Sequence, residues 1–234
     1  FAAAAPGALA RAREVPGGKE LSFNNLMDAD GALSAVRLFE EPACAVVKHT
    51  VPCGLATAAT PAEAFRKAHE CDPVSAFGGI VALNRPLRVE TARLIATADN
   101  FFEVVVAPDA DEEAIAALRE GARWGKNLRI LLVDPLRHPD EPDMRYVTGG
   151  LLVQEADAAP PDFDSWRVVS RRQPTDGEMK QLRFGWLCVR YLKSNAIAVV
   201  RDSALVGSGC GQTSRVDAAR VAVMRAGERS SGAV

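Results

Sequence analysis

An amine and an imidazole stand side by side in Lys48-His49-Thr50-Val51-Pro52-Cys53-Gly54, directly after the apolar run Ala43-Cys44-Ala45-Val46-Val47. At neutral pH an imidazole takes or gives a proton, and an ammonium beside it can donate to a developing oxyanion or lower the imidazole pKa. The pair suits acyl-type transfer. A lone Lys-His dipeptide is in most chains an exposed turn, so the reading depends on its surroundings. The apolar run predicts a buried strand over 43–48, and Pro52 and Gly54 predict a turn that stops it. Lys48 and His49 then fall at a strand's C-terminal end, beside the crevice where open α/β sheets bind ligands.

Other stretches offer complementary groups. Asp72-Pro73-Val74-Ser75-Ala76-Phe77-Gly78-Gly79 is rich in turn residues. Its glycines permit close approach of a ligand to backbone and Phe77 offers a face to a flat ring, although a plain loop with a buried Phe has the same composition. Glu103 is a carboxylate inside the apolar stretch 102–107, hence either edge-facing or a ligand acceptor. Gly207, Gly209 and Gly211 ahead of a helix resemble a phosphate cradle, but Gln212 breaks the dinucleotide fingerprint and no Gly-Lys-Ser follows. Arg215 in the first turn of that helix opposes the macrodipole, a conflict that a bound anion or plain solvation would relieve. Only six of the 28 basic residues are Lys, which draws attention to Lys48 and Lys193 at turn positions. His49 and Cys53 stand four apart, yet position 51 is Val and no second Cys follows at deaminase spacing, so zinc is not expected.

The elements that must position these groups alternate. Strands are predicted over 43–48, 79–84, 102–107 and 128–133, and helices over 26–39, 61–69, 89–97 and 112–120, which implies an α/β sheet with substantial parallel pairing. A Pro-rich link over 134–143 separates residues 1–143 from a second unit, 144–234. There, 150–154 reads as a strand, 157–165 as loop, 177–192 as a helix and 196–206 as a hairpin turning at Asp202-Ser203. Ser214 and Asp217 cap the last helix.

With 234 residues, 48% of them apolar and 25% charged, the chain can form one large or two small domains. A net charge of -2 without a basic block points away from nucleic acid and anionic membranes. No stretch approaches the length of a membrane span, five irregularly spaced cysteines suggest reduced thiols, and the opening residues do not form a signal peptide. A cytoplasmic protein is expected, and the lack of an initiator Met suggests an internal piece of a longer product.

Leu21-Ser22-Phe23-Asn24-Asn25, the stretches 48–54, 72–85, 102–108 and 149–154, Lys193-Ser194-Asn195-Ala196, and 207–215 ending in Gln212-Thr213-Ser214-Arg215 occur in an order that resembles the AICAR transformylase domain of the bifunctional purine biosynthesis enzymes, whose other domain is IMP cyclohydrolase. The resemblance covers nearly the whole chain. It implies tandem cytidine-deaminase-like three-layer units without zinc, the second truncated, in a homodimer with active sites at the subunit interface. It further implies formyl transfer from 10-formyltetrahydrofolate to AICAR, with His49 as general base, Lys48 assisting transfer and Asn195 at the reaction centre. Phe77, Gly78, Glu103 and Lys193 would line the AICAR and folate pocket, and Arg215 would reach AICAR from the partner subunit. Val51 replaces an Asn usual in bacterial members, and segments expected before Phe1 and beyond Val234 are missing. A zinc-dependent deaminase-like hydrolase and a non-catalytic fragment are the competing expectations.

Overall fold

A computed structural model describes residues 9–133, 142–157 and 159–234, so most of the Pro-rich link and the opening residues lie outside the described residues. Eight strands form one sheet in the order β1-β6-β5-β4-β2-β3-β10-β9. These are β1 (Arg13–Glu14), β2 (Ala43–Lys48), β3 (Val51–Thr57), β4 (Gly79–Leu83), β5 (Phe102–Ala107), β6 (Arg129–Leu132), β9 (Ile197–Arg201) and β10 (Ala204–Gly209). β7 (Asp143–Val147) and β8 (Gly150–Gln154) form a separate hairpin. The expected parallel pairing joins β4 to β5 and β5 to β6; the other pairings are antiparallel, and the sheet is mixed.

Among the described residues six α-helices accompany the strands: α1 (Phe23–Val36), α2 (Pro61–Cys71), α3 (Val89–Thr97), α4 (Glu112–Gly121), α5 (Asp176–Val189) and α6 (Arg215–Ala226). α1 begins three residues earlier than periodicity suggests, because Ser22 and Asn25 form a reciprocal capping box. It ends at Val36, leaving Phe39 beyond the helix but still buried, its ring 5.4 Å from that of Phe184 on α5. Residues that pack closely sort the helices onto two faces. A Cβ on Gly54 of β3 would overlap the Ala68 carbonyl of α2, and Cβ atoms on Gly207 and Gly209 of β10 would overlap carbonyls of Ala222 and Ala218 on α6. Val200 of β9 instead lies against Gly185 of α5. Thus α1 and α5 cover one face, and α2 and α6 the other, where α3 packs on α2 and α4. The result is a three-layer α/β arrangement whose central strands β2 and β4 are buried almost throughout.

Two stretches expected to be turn or loop are strand instead. Pro52 and Gly54 do not end the β2 strand; they lie inside β3, which returns antiparallel after a two-residue connection, His49-Thr50. Cys53 is the extra residue of a bulge, since Val46 pairs with Gly54 and Val47 with Pro52. β10 registers with β3 at Ala204 and Ala56, so the Pro52 end lies away from that registered pairing and tolerates a residue with no N–H to donate. Gly207 and Gly209 likewise belong to β10 rather than to a phosphate-cradling loop, and their missing side chains admit the α6 backbone. The turn at Asp202-Ser203 is found where expected, with both residues left-handed. The strand predicted over 79–84 stops at Leu83 because Asn84 turns inward: its Oδ1 accepts from Ala43 N, and its Nδ2 donates to the Phe39 and Glu41 carbonyls.

Candidate active site

Register determines which residues share an edge of the sheet. Lys48 ends β2 where Val51 begins β3, Val47 lies opposite Ile80 near the start of β4, and Gly79 lies opposite Phe102 at the start of β5. The start of β6 at Arg129, the end of β10 at Gly209 and the start of β9 at Ile197 fall on the same edge. Every residue nominated from the sequence therefore lies along one edge: Lys48, His49, Phe77, Gly78, Glu103, Lys193, Asn195 and Arg215.

They form two clusters. In the first, the Lys48 Nζ donates to the Phe77 carbonyl oxygen at 2.7 Å, which ties the end of β2 to the loop ahead of β4 and leaves two ammonium protons for other acceptors. Gly78 is left-handed (φ 73°) and its N–H donates to the Phe101 carbonyl at 2.7 Å, a conformation that a Cβ would strain. The preceding loop is shaped by Asp72, which accepts from the Ser75 N–H and hydroxyl and faces Arg225 at 3.5 Å. Phe77 is 59% exposed and lies 5.6 Å from the Phe101 ring, which in turn meets Trp124 edge-on at 6.0 Å. The outer ring of this ledge has a free face for a flat, apolar group.

His49 is exposed at the hairpin tip, and both it (φ 56°) and Thr50 (φ 64°) adopt the left-handed conformation. Each such non-glycine residue costs on the order of 1 kcal/mol, so the turn depends on outside support. Asp28 of α1 accepts the His49 and Thr50 N–H groups at 3.2 and 2.6 Å. Three residues earlier on α1, Asn25 donates to Glu103 Oε2 at 2.7 Å, and the largely buried Arg129 guanidinium stands 3.5 Å from the same carboxylate. Glu103 is thus held half-buried between an amide and a cation, with acceptor capacity remaining.

The second cluster contains Asn195, whose Nδ2 donates to the Gln212 and Thr213 carbonyls at 2.8 and 3.1 Å, while Gly211 N donates to the Lys193 carbonyl at 2.6 Å. These bonds tie 193–195 to the loop before α6, where Ser214 caps the helix through Asp217 N and Arg215 projects exposed. β2 and β9 are three steps apart in the sheet, about 14 Å at the usual strand spacing. The structure therefore groups Lys48, His49, Phe77, Gly78 and Glu103, and sets Lys193, Asn195 and Arg215 apart from them on the same edge.

Asn25, Asp28 and Arg129 had no assigned role in the sequence reading. Asn25 lay within a marked stretch, and Asp28 at its i+3 position was the available signal that one helix face carries both. Arg129, an ordinary first residue of a strand, gave none. Cys53 donates its thiol to the Val46 carbonyl, and burial pushes that thiol up to about 12, which disfavours the thiolate needed by a metal or a nucleophile. Among the described residues there is no group of three or more His, Cys, Asp or Glu side chains that could hold a metal ion.

The family model described as AICARFT/IMPCHase bienzyme matches residues 2–225. A bifunctional purine biosynthesis protein PurH from Ruegeria pomeroyi is 49% identical over 223 residues, covering 93% of this chain and 41% of the relative. One from Anaeromyxobacter sp. (strain Fw109-5) is 49% identical over 218 residues, covering 89% and 40%. A third, from Thermoanaerobacter sp. (strain X514), is 47% identical over 217 residues, covering 93% and 41%. The chain spans about two fifths of the length of these curated relatives.

Proposed function

The chain belongs to the AICARFT/IMPCHase bienzyme family, and from that premise we propose that it carries the transformylase reaction of purine biosynthesis. The 5-amino group of AICAR attacks the formyl carbon of 10-formyltetrahydrofolate and its proton passes to the His49 imidazole. The bond from carbon to folate N10 then breaks, N10 takes up a proton, and formyl-AICAR and tetrahydrofolate leave. An aromatic amine is a weak nucleophile, so a positioned base and stabilisation of the tetrahedral oxyanion should both matter. Lys48 supplies the second.

The observation that carries this reading is the juxtaposition of an exposed His49 with Lys48, whose Nζ bridges to the Phe77–Gly78 loop at 2.7 Å. Glu103 offers an acceptor two strands away, and Phe77 a face for a ring. Asn195, Lys193 and Arg215, about three strands distant, are better placed to complete the site of a second copy than that of their own chain. Exposed apolar residues on the β7–β8 hairpin, among them Tyr146, Leu151, Leu152 and Val153, support such association in a homodimer.

The connectivity also favours a cytidine-deaminase-like first unit over 1–143. In β3-β2-β4-β5-β6, strand β2 is antiparallel to both neighbours while β4, β5 and β6 are mutually parallel. Residues 144–234 would form the second, incomplete unit, although β9 and β10 continue the same sheet. No observation favours a zinc hydrolase, and we assign the reaction without zinc in a cytoplasmic enzyme. The test is a spectrophotometric formyl-transfer assay with AICAR and 10-formyltetrahydrofolate on the protein that carries this chain, beside metal analysis. Absence of tetrahydrofolate formation, or stoichiometric zinc required for turnover, would reject the proposal.

A further inference from the structure

The proposed base sits on a turn that its own residues do not favour. Two-residue hairpin connections with both residues left-handed are ordinarily Asn-Gly or Asp-Gly. Here they are His49 and Thr50, the second β-branched, so support must come from outside the hairpin. Asp28, in the second turn of α1, provides it through both carboxylate oxygens: Oδ2 accepts the His49 N–H and Oδ1 the Thr50 N–H, at 3.2 and 2.6 Å. Farther along α1, Gly31 lets the helix seat on the turn, since a Cβ there would stand 3.1 Å from the Thr50 carbonyl oxygen. Asn25 on the same helix holds Glu103. One helix thereby references the hairpin tip and the start of β5 to each other across β4.

We propose that Asp28 is a positioning residue of the transfer site, which clamps the two successive backbone amides beneath His49 and so fixes the direction in which the imidazole leaves the turn. The catalytic consequence rests on the formyl-transfer reading above; the clamp itself does not. Asp28→Ala removes both bonds. Asp28→Asn keeps the shape and an acceptor for Thr50 N–H, but turns an amide nitrogen toward His49 N–H.

Amide hydrogen exchange followed by NMR on the 234-residue chain reads the clamp directly. In Asp28→Ala, exchange at His49 and Thr50 should accelerate by about tenfold or more while the central amides of β2 and β4 keep their protection. In Asp28→Asn the acceleration should be confined to His49. In the formyl-transfer assay on the protein carrying the chain, Asp28→Ala should lower kcat by about tenfold or more with KM for AICAR within about twofold. Thr50→Gly placed in the Asp28→Ala background should restore part of that loss, because glycine adopts the left-handed conformation without help. A purely structural role would lower the folded fraction without changing turnover per folded molecule. Unchanged exchange at both amides overturns the clamp whatever the assay reads. Faster exchange with unaltered kcat overturns the positioning role. A wild-type protein with no formyl transfer but the expected exchange pattern rejects the assigned reaction and supports the clamp.

Discussion

In the proposed transfer the Lys48 ammonium and the His49 imidazole take different parts because their surroundings differ. Lys48 is half-buried and anchored by the Phe77 carbonyl, so its charge is held in place, whereas His49 is exposed and turned outward by the hairpin. His49→Ala should therefore lower kcat by a factor of about a hundred with a smaller change in KM, the pattern expected when a general base is lost. Lys48→Arg should also be impaired although the charge survives. A planar guanidinium cannot both donate to Phe77 O along the Lys48 direction and present a compact charge to an oxyanion. Steady-state kinetics on the two variants check this, and near-normal turnover in either removes that residue from the mechanism. The adjacency of the two residues was plain in the sequence. What it could not convey was that their strand reverses immediately, because Pro52 and Gly54 carry the usual composition of a turn. Only the bulge at Cys53 and the approach of α2 to Gly54 make them strand residues.

At the scale of elements, the helix periods were largely legible, and Ser214 caps the last helix as expected by accepting from the Asp217 N–H; Thr60, Asp111 and Thr175 cap theirs in the same way. The order of strands was not, because nothing local says that β10 pairs with β3 or that β4 lies beside β2. Glycines acquire meaning only from that order. Gly54→Ala forces a Cβ into the Ala68 carbonyl, backbone that cannot rotate away, and should destabilise the fold by about 3 kcal/mol, measurable by urea denaturation. His69 on α2 carries a pH dependence of its own. Burial lowers its pKa below the ordinary 6.5, against the opposing pull of Glu70 and Asp99. Its ring stacks on Phe65, and its Nε2 lies 3.1 Å from the Asn100 amide nitrogen, which suits a neutral acceptor. The unfolded chain then binds a proton at higher pH than the native one, so this contribution to stability is complete above about 6.5 and is lost as pH falls through the lower native value. Thermal melts should show a decline on acidification through that window that is reduced in His69→Gln; an identical decline in the variant would clear His69 of the effect.

The whole molecule presents its two clusters on one edge, set off by three strand steps, about 14 Å at the usual spacing, which favours a site shared between two copies. In a two-fold dimer each interface contact occurs twice, so a site built from Lys48 and His49 of one protomer and Asn195 and Arg215 of the other arises in duplicate. The β7–β8 hairpin is suited to hold such a pair: Tyr146 is 83% exposed, and Leu152 and Val153 each 59%, an apolar surface that a monomer would leave in water. This arrangement makes a quantitative prediction. His49→Ala and Asn195→Ala proteins, each nearly inactive, should complement one another after mixing under conditions that let protomers exchange. Random pairing makes half of the dimers mixed, and each mixed dimer has one site carrying both lesions and one carrying neither, so the mixture should recover about a quarter of the wild-type rate. Exchange itself is checked by sedimentation with one variant fluorescently labelled. Demonstrated exchange without recovered activity would mean that His49 and Asn195 serve the same site within one chain, and the β2 to β9 separation would then have to close by a movement of the 193–195 loop toward the hairpin tip.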